Sequence, residues 1–279
     1  MLSSLFGLLS ALTWGAGDFG GGLASRRAGF YRAAFYGEFT GILFLVIMLG
    51  IVREPLPAGP DWAWNTSAGA MGAIGLLLLY RSLAEGQMSV AAPVSALMAA
   101  ILPVIASSLT EGLPGVTKYM GFALALAAIW LISQGEGHRK LLYLHLADLR
   151  LPLLAGVCFG VYFILIHQGS RNATIWPMMT ARITGSIVLF FFAMVNHQLH
   201  WPNRHVAPLV FLNAAGDIAG NTFYILAGQV GRLDVAAVLG SLYPGTTVLL
   251  AGLVLHERLN RSQWIGILAA LAAIVLMTI

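Results

Sequence analysis

The stretch LMAAILPVIASSLTEGLPGVTKYMGFALALAAIWL at residues 97–131 is written a second time near the end of the chain, as YPGTTVLLAGLVLHERLNRSQWIGILAALAAIVL at residues 243–276. With a shift of 146, Glu111-Gly-Leu113 falls on Glu257-Arg-Leu259. One residue is lost in the short connection, and with a shift of 145 Gly121 falls on Gly266 and Ala125-Leu-Ala-Ala-Ile129 on Ala270-Leu-Ala-Ala-Ile274. Each copy reads as an apolar segment, an acidic turn and a second apolar segment. Internal repetition dictates architecture, and here it divides 279 residues into two halves. Shorter matches extend the repeat outward. A shift of 144 sets Thr40-Gly41 on Thr184-Gly185, Glu38 on Arg182 and Tyr80 on Tyr224, and a shift of 145 sets Trp14-Gly15 on Phe159-Gly160.

The composition says what surrounds these segments. Hydrophobic residues make up 58 % of the chain and charged residues 9 %, against about 25 % charged in a typical soluble domain. Such long apolar runs leave almost nothing to face water. A membrane-spanning helix needs roughly 20 apolar residues, and ten segments fit, near 5–23, 33–52, 64–83, 89–109, 119–133, 151–166, 175–195, 206–227, 235–255 and 264–278. The start lacks a basic region before its apolar run, and the run continues past Trp14, so it reads as a retained span rather than a cleaved leader. The predicted fold is an all-α integral membrane protein of ten transmembrane helices. Residues 1–137 form the first five-helix repeat, 138–150 a linker and 151–279 the second repeat. A short surface helix is expected at Leu141–Leu149. Five spans per half force the halves into opposite orientations, an inverted-repeat plan common among secondary transporters.

Fifteen basic and eleven acidic residues give a formal charge of +4, with no basic cluster interleaved with stacking aromatics, so no nucleic-acid partner is expected. The basic residues are better read as orienting loops. Ten fall on the side of the turns after spans one, three, five, seven and nine, and four on the other, which predicts outward-facing termini. Cys158 is alone, which excludes an intrachain disulfide and a thiolate metal site. There is no HExxH, Walker loop or GxSxG elbow. His197, His200 and His205 read as a solvated turn rather than a metal site. No cofactor is expected.

The candidate chemistry lies in polar residues stranded in apolar spans, which are costly and must pair or line a cavity. Glu38 and Arg182 are opposite charges at equivalent positions, either a structural ion pair or a proton- or amine-binding carboxylate with a modulating cation. Asp217, Asn221 and Tyr224 recur at i, i+4 and i+7 and share one face of span eight, where Gly216 and Gly220 leave room. They are read as a cavity lining, with Asp217 as a lone carboxylate for a cation or proton. Asp18, one turn past Trp14 in a glycine-rich span, either joins that cavity or caps a helix break near the surface. Trp14, Tyr80, Tyr162, Trp176, Tyr224 and Tyr243 are possible aromatic walls for an organic cation. Pro93, Pro103 and Pro244 are expected to free the carbonyls of Ser89, Ala99 and Gly240, which either bends spans four and nine or helps to line a polar cavity.

The residues resemble the EamA-type drug/metabolite transporter family. The resemblance rests on Ala11-Leu-Thr-Trp-Gly15, Leu83-Ala-Glu-Gly86, Val90-Ala-Ala-Pro93, Ser241-Leu-Tyr-Pro244 and His256-Glu-Arg-Leu259, taken in that order with the duplication. It implies two inverted five-helix repeats around a central cavity, with spans five and ten peripheral. It places Ser241 and Tyr243 on a cavity-lining helix, gives Glu257 a supporting role at the next turn, and implies cytoplasmic termini, against the charge count. The first repeat departs from the family pattern, because Met98 stands where the second copy has Pro244. The implied function is alternating-access transport of a small organic metabolite, such as an amino acid or amine, across the cytoplasmic (inner) membrane, with protons as the candidate coupling ion. The expected partners are that solute and membrane lipids, for a monomer or weak homodimer. A membrane-embedded lipid-headgroup-modifying enzyme and a non-transporting scaffold are the alternatives.

Overall fold

The computed structural model describes residues 2–57, 59–85, 88–132, 146–199, 204–256 and 259–278, and among these the side chains of all but 80, 83–85, 88–93, 146–148 and 278. The described residues form helices and short turns, with no strand. In chain order the helices are α1 (Leu2–Ala28), α2 (Phe30–Val52), α3 (Gly59–Glu85), α4 (Met88–Thr110), α5 (Val116–Ile132), α6 (Leu146–Gly169), α7 (Ile175–Val195), α8 (Ala207–Gln229), α9 (Leu233–Gly240), α10 (Tyr243–Val254) and α11 (Arg261–Thr278). They fall where the ten apolar segments lie, with the ninth broken in two.

Five segments are long and apolar enough to cross a membrane: α2, Leu149–Gly169 within α6, α7, α8, and Leu233–Val254 across α9 and α10. Val94–Thr110, Val116–Ile132 and Arg261–Met277 are apolar but shorter. The 27-residue helices α1 and α3 are longer still, but glycines and polar side chains interrupt them. An apolar belt faces outward, including Leu43, Ile47 and Ile51 of α2 and Ile187, Phe191 and Val195 of α7. Leaving one large apolar side chain in water instead of burying it costs roughly 1.5–3 kcal/mol, so this belt fits a hydrocarbon surround. The helices satisfy their own backbone groups there.

Two expectations change. Residues 141–145 of the expected surface helix lie outside the described residues, and 146–149 belong to α6, which begins inside the expected linker. The ninth segment is not a proline-kinked continuous helix. It breaks at Ser241 and Leu242, and Pro244 sits in the first turn of α10, where its missing N–H would have had no partner anyway. By contrast α4 runs unbroken through Pro93 and Pro103, consistent with Met98 replacing the proline at the equivalent site.

The packing is reciprocal between the halves. Helix α1 packs along α8, and its counterpart α6 packs along α3; α4 packs on α6 as α9 and α10 pack on α1. Gly75 abuts the Phe159 ring as Gly220 abuts the Trp14 ring, 145 residues on in each case. Gly121 lies against Met277 as Gly266 lies against Ile132. At the shift of 144, Gly41 meets Arg182 and Gly185 meets Glu38. The helices α2 with α7, α5 with α11 and α4 with α9 are self-paired under this exchange, so the internal axis passes between them.

The bundle has two ends. At the terminal face, where α1 starts, Ser3 Oγ donates to the Ala227 carbonyl at 2.9 Å and Asn65 Nδ2 to the Gly169 carbonyl at 3.1 Å. Arg232 donates to the Gly112 carbonyl at 2.7 Å and to Asp234, which is fully buried. The opposite face holds the end of α1, the start of α2 and the end of α7, where Arg32 lies 3.4 Å from the Gln198 carbonyl.

Candidate functional site

Between the halves lies a cavity of about 150 Å³, walled by α1, α2, α3, α4, α6, α7, α8 and Tyr243 of α10. It occupies the middle of the bundle and extends toward the opposite face, reaching Ala34 near the start of α2 and Leu79 near the end of α3. Two glycines of α3 shape its wall: Gly69 lets the α7 backbone approach closely at Ala181, and Gly72 leaves room for the Tyr162 ring of α6.

One guanidinium holds two carboxylates in this cavity. Arg182 of α7 pairs with Glu38 of α2 at 2.8 Å and, on its other terminal nitrogen, with Asp217 of α8. Asn221 Nδ2 donates to Asp217 Oδ2 at 3.0 Å, and the Tyr162 hydroxyl of α6 donates to Asn221 Oδ1. The polar chain therefore runs across four helices. The planar guanidinium fork suits two simultaneous carboxylates, and burial makes the pairing obligatory, since an uncompensated charge in low dielectric is strongly destabilising. The Asp217 side chain is 34 % exposed, against 18 % for Glu38 and 9 % for Arg182, so Asp217 is the member most open to the cavity. The expectation of a lone Asp217 is corrected. Its partner is the arginine that the internal repeat had matched only to Glu38.

Asp18 also lines the cavity, near Tyr243. Among the described residues no basic side chain pairs with it. Three carboxylates against one guanidinium leave an excess of two negative charges when all are ionised.

Aromatic rings floor the cavity on the side of the terminal face. Trp14 stacks on Phe163 at 5.5 Å, and Phe163 lies 4.7 Å from Tyr224. Tyr224 was expected on the solute-facing stripe but is 1 % exposed, and its hydroxyl donates to the Phe163 carbonyl at 3.2 Å. It shares the face of Asn221 but sits about 4.5 Å further along the axis, three residues at the helical rise, where the floor has already closed. Ser241 was expected to line the cavity and instead lies in the α9–α10 break, 1 % exposed, with its hydroxyl unpaired among the described residues. The Tyr80 side chain and residues Glu257 and His200 lie outside the described ones. Trp14, Asp18, Glu38, Arg182, Asp217, Asn221 and Tyr243 are brought together.

Asn213 was missed. Its Nδ2 donates to the Gly17 carbonyl at 3.1 Å, and it lines the cavity. The signal was there, because Asn213 extends the Asp217–Asn221 stripe by one turn of α8. Tyr162 was read only as an aromatic wall, and its bond to Asn221 joins helices that no local spacing links.

These features define a multi-pass helical membrane protein with a polar cavity between two packed repeats. The sequence profile of the EamA-like transporter family matches residues 1–134 and again 149–279, so the chain belongs to that family and carries its unit twice. A solved structure titled "Crystal structure of protein" superposes with a TM-score of 0.78 at 15 % identity, over 99 % of this chain and 96 % of the other, a likeness of fold. No curated protein matches the sequence.

Proposed function

We propose that this chain is a secondary transporter that carries a small amine-bearing or otherwise cationic metabolite across the cytoplasmic membrane by alternating access. Residues 1–137 and 151–279 act as two inverted five-helix halves, joined by 138–150, in a ten-span bundle. The observation that carries this reading is the charge balance of the central cavity. Arg182 is occupied by Glu38 and Asp217, while Asp18 faces the cavity with no basic partner among the described residues. A cation or proton relieves that excess, whereas an anion would have to displace a carboxylate from Arg182. Trp14 and Tyr243 add ring faces that attract organic cations. The cavity volume of about 150 Å³ is below the roughly 300–1,000 Å³ of drug-sized pockets, which favours a metabolite over a bulky drug.

In this mechanism Asp217 exchanges Arg182 for a proton or the solute amine. Releasing Asp217 frees the α7–α8 contact while Glu38 keeps Arg182 compensated, so the halves can rock about the α2–α7 pair. The test is uptake by reconstituted vesicles of radiolabelled amines, amino acids and nucleosides. Accumulation of an intact amine supports the proposal. Chemical conversion of the solute would indicate an enzyme, and no movement across the panel would indicate a scaffold.

A further inference from the structure

We propose that Glu54 is the gate residue that holds the terminal face closed and so biases the protein toward the form open to the opposite face. The inference rests on the alternating-access reading but concerns a residue that reading does not use. Arg53 ends α2 in the left-handed region at φ 49°. That turn sends the next residue, Glu54, across to the start of α7. Its carboxylate accepts the backbone N–H groups of Thr174 at 2.6 Å, Ile175 at 2.8 Å and Trp176 at 2.9 Å, and its carbonyl accepts the Trp176 indole N–H at 3.0 Å. These donors have no partner within their own helix, and a carboxylate at a helix N-terminus also meets the positive end of the helix dipole. One side chain thus ties the end of α2 to the start of α7, the two helices that carry Glu38 and Arg182.

The other end of the same pair lacks this tie. His197, 144 residues after Arg53, lies two residues past the end of α7 and also takes a left-handed φ, 53°. The residue it presents toward the start of α2 is Gln198, the counterpart of Glu54. Gln198 is neutral and meets Arg32 at 3.4 and 3.5 Å. At the shift of 144 the contacting residues of the two ends differ at two positions, Glu54 against Gln198 and Trp176 against Arg32, so the carboxylate tie is present at the terminal face alone, and the cavity extends toward the other end. Moving to the form open at the terminal face requires Glu54 to release three backbone donors, whereas the α2–α7 contact at the opposite end rests on the two longer Arg32–Gln198 contacts. Both ties involve one ionised partner, so the difference lies in the number and length of the bonds, three carboxylate bonds of 2.6, 2.8 and 2.9 Å against two contacts of 3.4 and 3.5 Å.

The test measures spin-label distances on purified protein in a Cys158→Ser background. One pair, Leu56→Cys with Asn172→Cys, spans the terminal face; the other, Arg27→Cys with Val195→Cys, spans the opposite face. E54Q is expected to raise the ratio of long to short distances across the terminal face about tenfold, the effect of losing one charge-assisted bond, with a matching shortening across the opposite face. Q198E, which supplies the missing carboxylate, is expected to move both distances in the same sense without touching Glu54. Unchanged distributions in a folded E54Q protein would overturn the proposal; so would an unchanged Q198E protein if E54Q does not fold. The measurement needs no solute, so a failure of gating is read apart from a failure to transport.

Discussion

Glu38 and Arg182 stand 144 residues apart at equivalent positions of the two halves and touch each other at 2.8 Å. Equivalent residues that meet must straddle the internal axis. Two identical charges there would repel, so the divergence of the halves into Glu and Arg is what lets the bundle close at its centre. Arg182 also holds Asp217, so its loss strands two carboxylates. Replacing it, as in R182Q, is expected to destabilise the fold by about 3–5 kcal/mol, well beyond E38Q or D217N, each of which leaves the arginine one partner. Thermal melts in detergent check this ordering, and an R182Q protein that melts with the parent would contradict it.

The two tyrosines beside the cavity separate structure from function. Tyr224 is buried in the floor and bonded to a backbone carbonyl, so Y224F is expected to cost about 1 kcal/mol, the net worth of one hydrogen bond, with transport retained. Tyr162 orients Asn221, which holds Asp217, so Y162F is expected to lower the transport rate several-fold with little loss of stability. Paired melts and flux assays decide it; the reverse pattern would move the working surface to Tyr224.

The close helix contacts give a steric prediction. A Cβ at Gly216 would lie 2.6 Å from the Gly17 backbone nitrogen, whereas one at Gly22 meets nothing within 4 Å. G216A must therefore push α1 from α8, at a cost of about 1–3 kcal/mol, while G22A is expected to be neutral. Detergent melting temperatures that fall equally for both would show that the α1–α8 contact is looser than described.

Much of this was legible before the fold. The duplication places Gly121 on Gly266 and Trp14 on Phe159, and the packing uses those same equivalences. The polar stripe of α8 was readable from its period, and Asp217 and Asn221 do line the cavity. Depth was not readable. Tyr224 has the right angle but lies below the floor, because nothing in helical spacing says where neighbouring aromatic rings close. Ser241 fell out of the cavity because the helix breaks there. Glu54 was not singled out, since its three partners lie some 120 residues away and depend on how the halves pack. Asp217 looked unpaired because the repeat matches Arg182 to Glu38 and says nothing of a third helix.

Orientation follows from charge. The face opposite the termini carries most of the Lys and Arg residues, so it is expected to be cytoplasmic, with both termini outside. The described cavity would then open inward. A terminal reporter active only in the cytoplasm should stay silent at either end. A strong signal would place the termini inside, as the family resemblance implies, and reverse the direction in which the cavity opens.

The central claim is that cavity carboxylates couple solute movement to a cation or proton through Asp217. The most direct measurement records solute flux and internal pH together in sealed vesicles, for the parent, D217N, E38Q and D18N. The account predicts coupled flux and proton movement in the parent and their loss in D217N. It predicts weaker solute binding in D18N and a smaller coupling defect in E38Q, where Arg182 keeps Asp217. A D217N protein with normal flux and the same proton movement would contradict it.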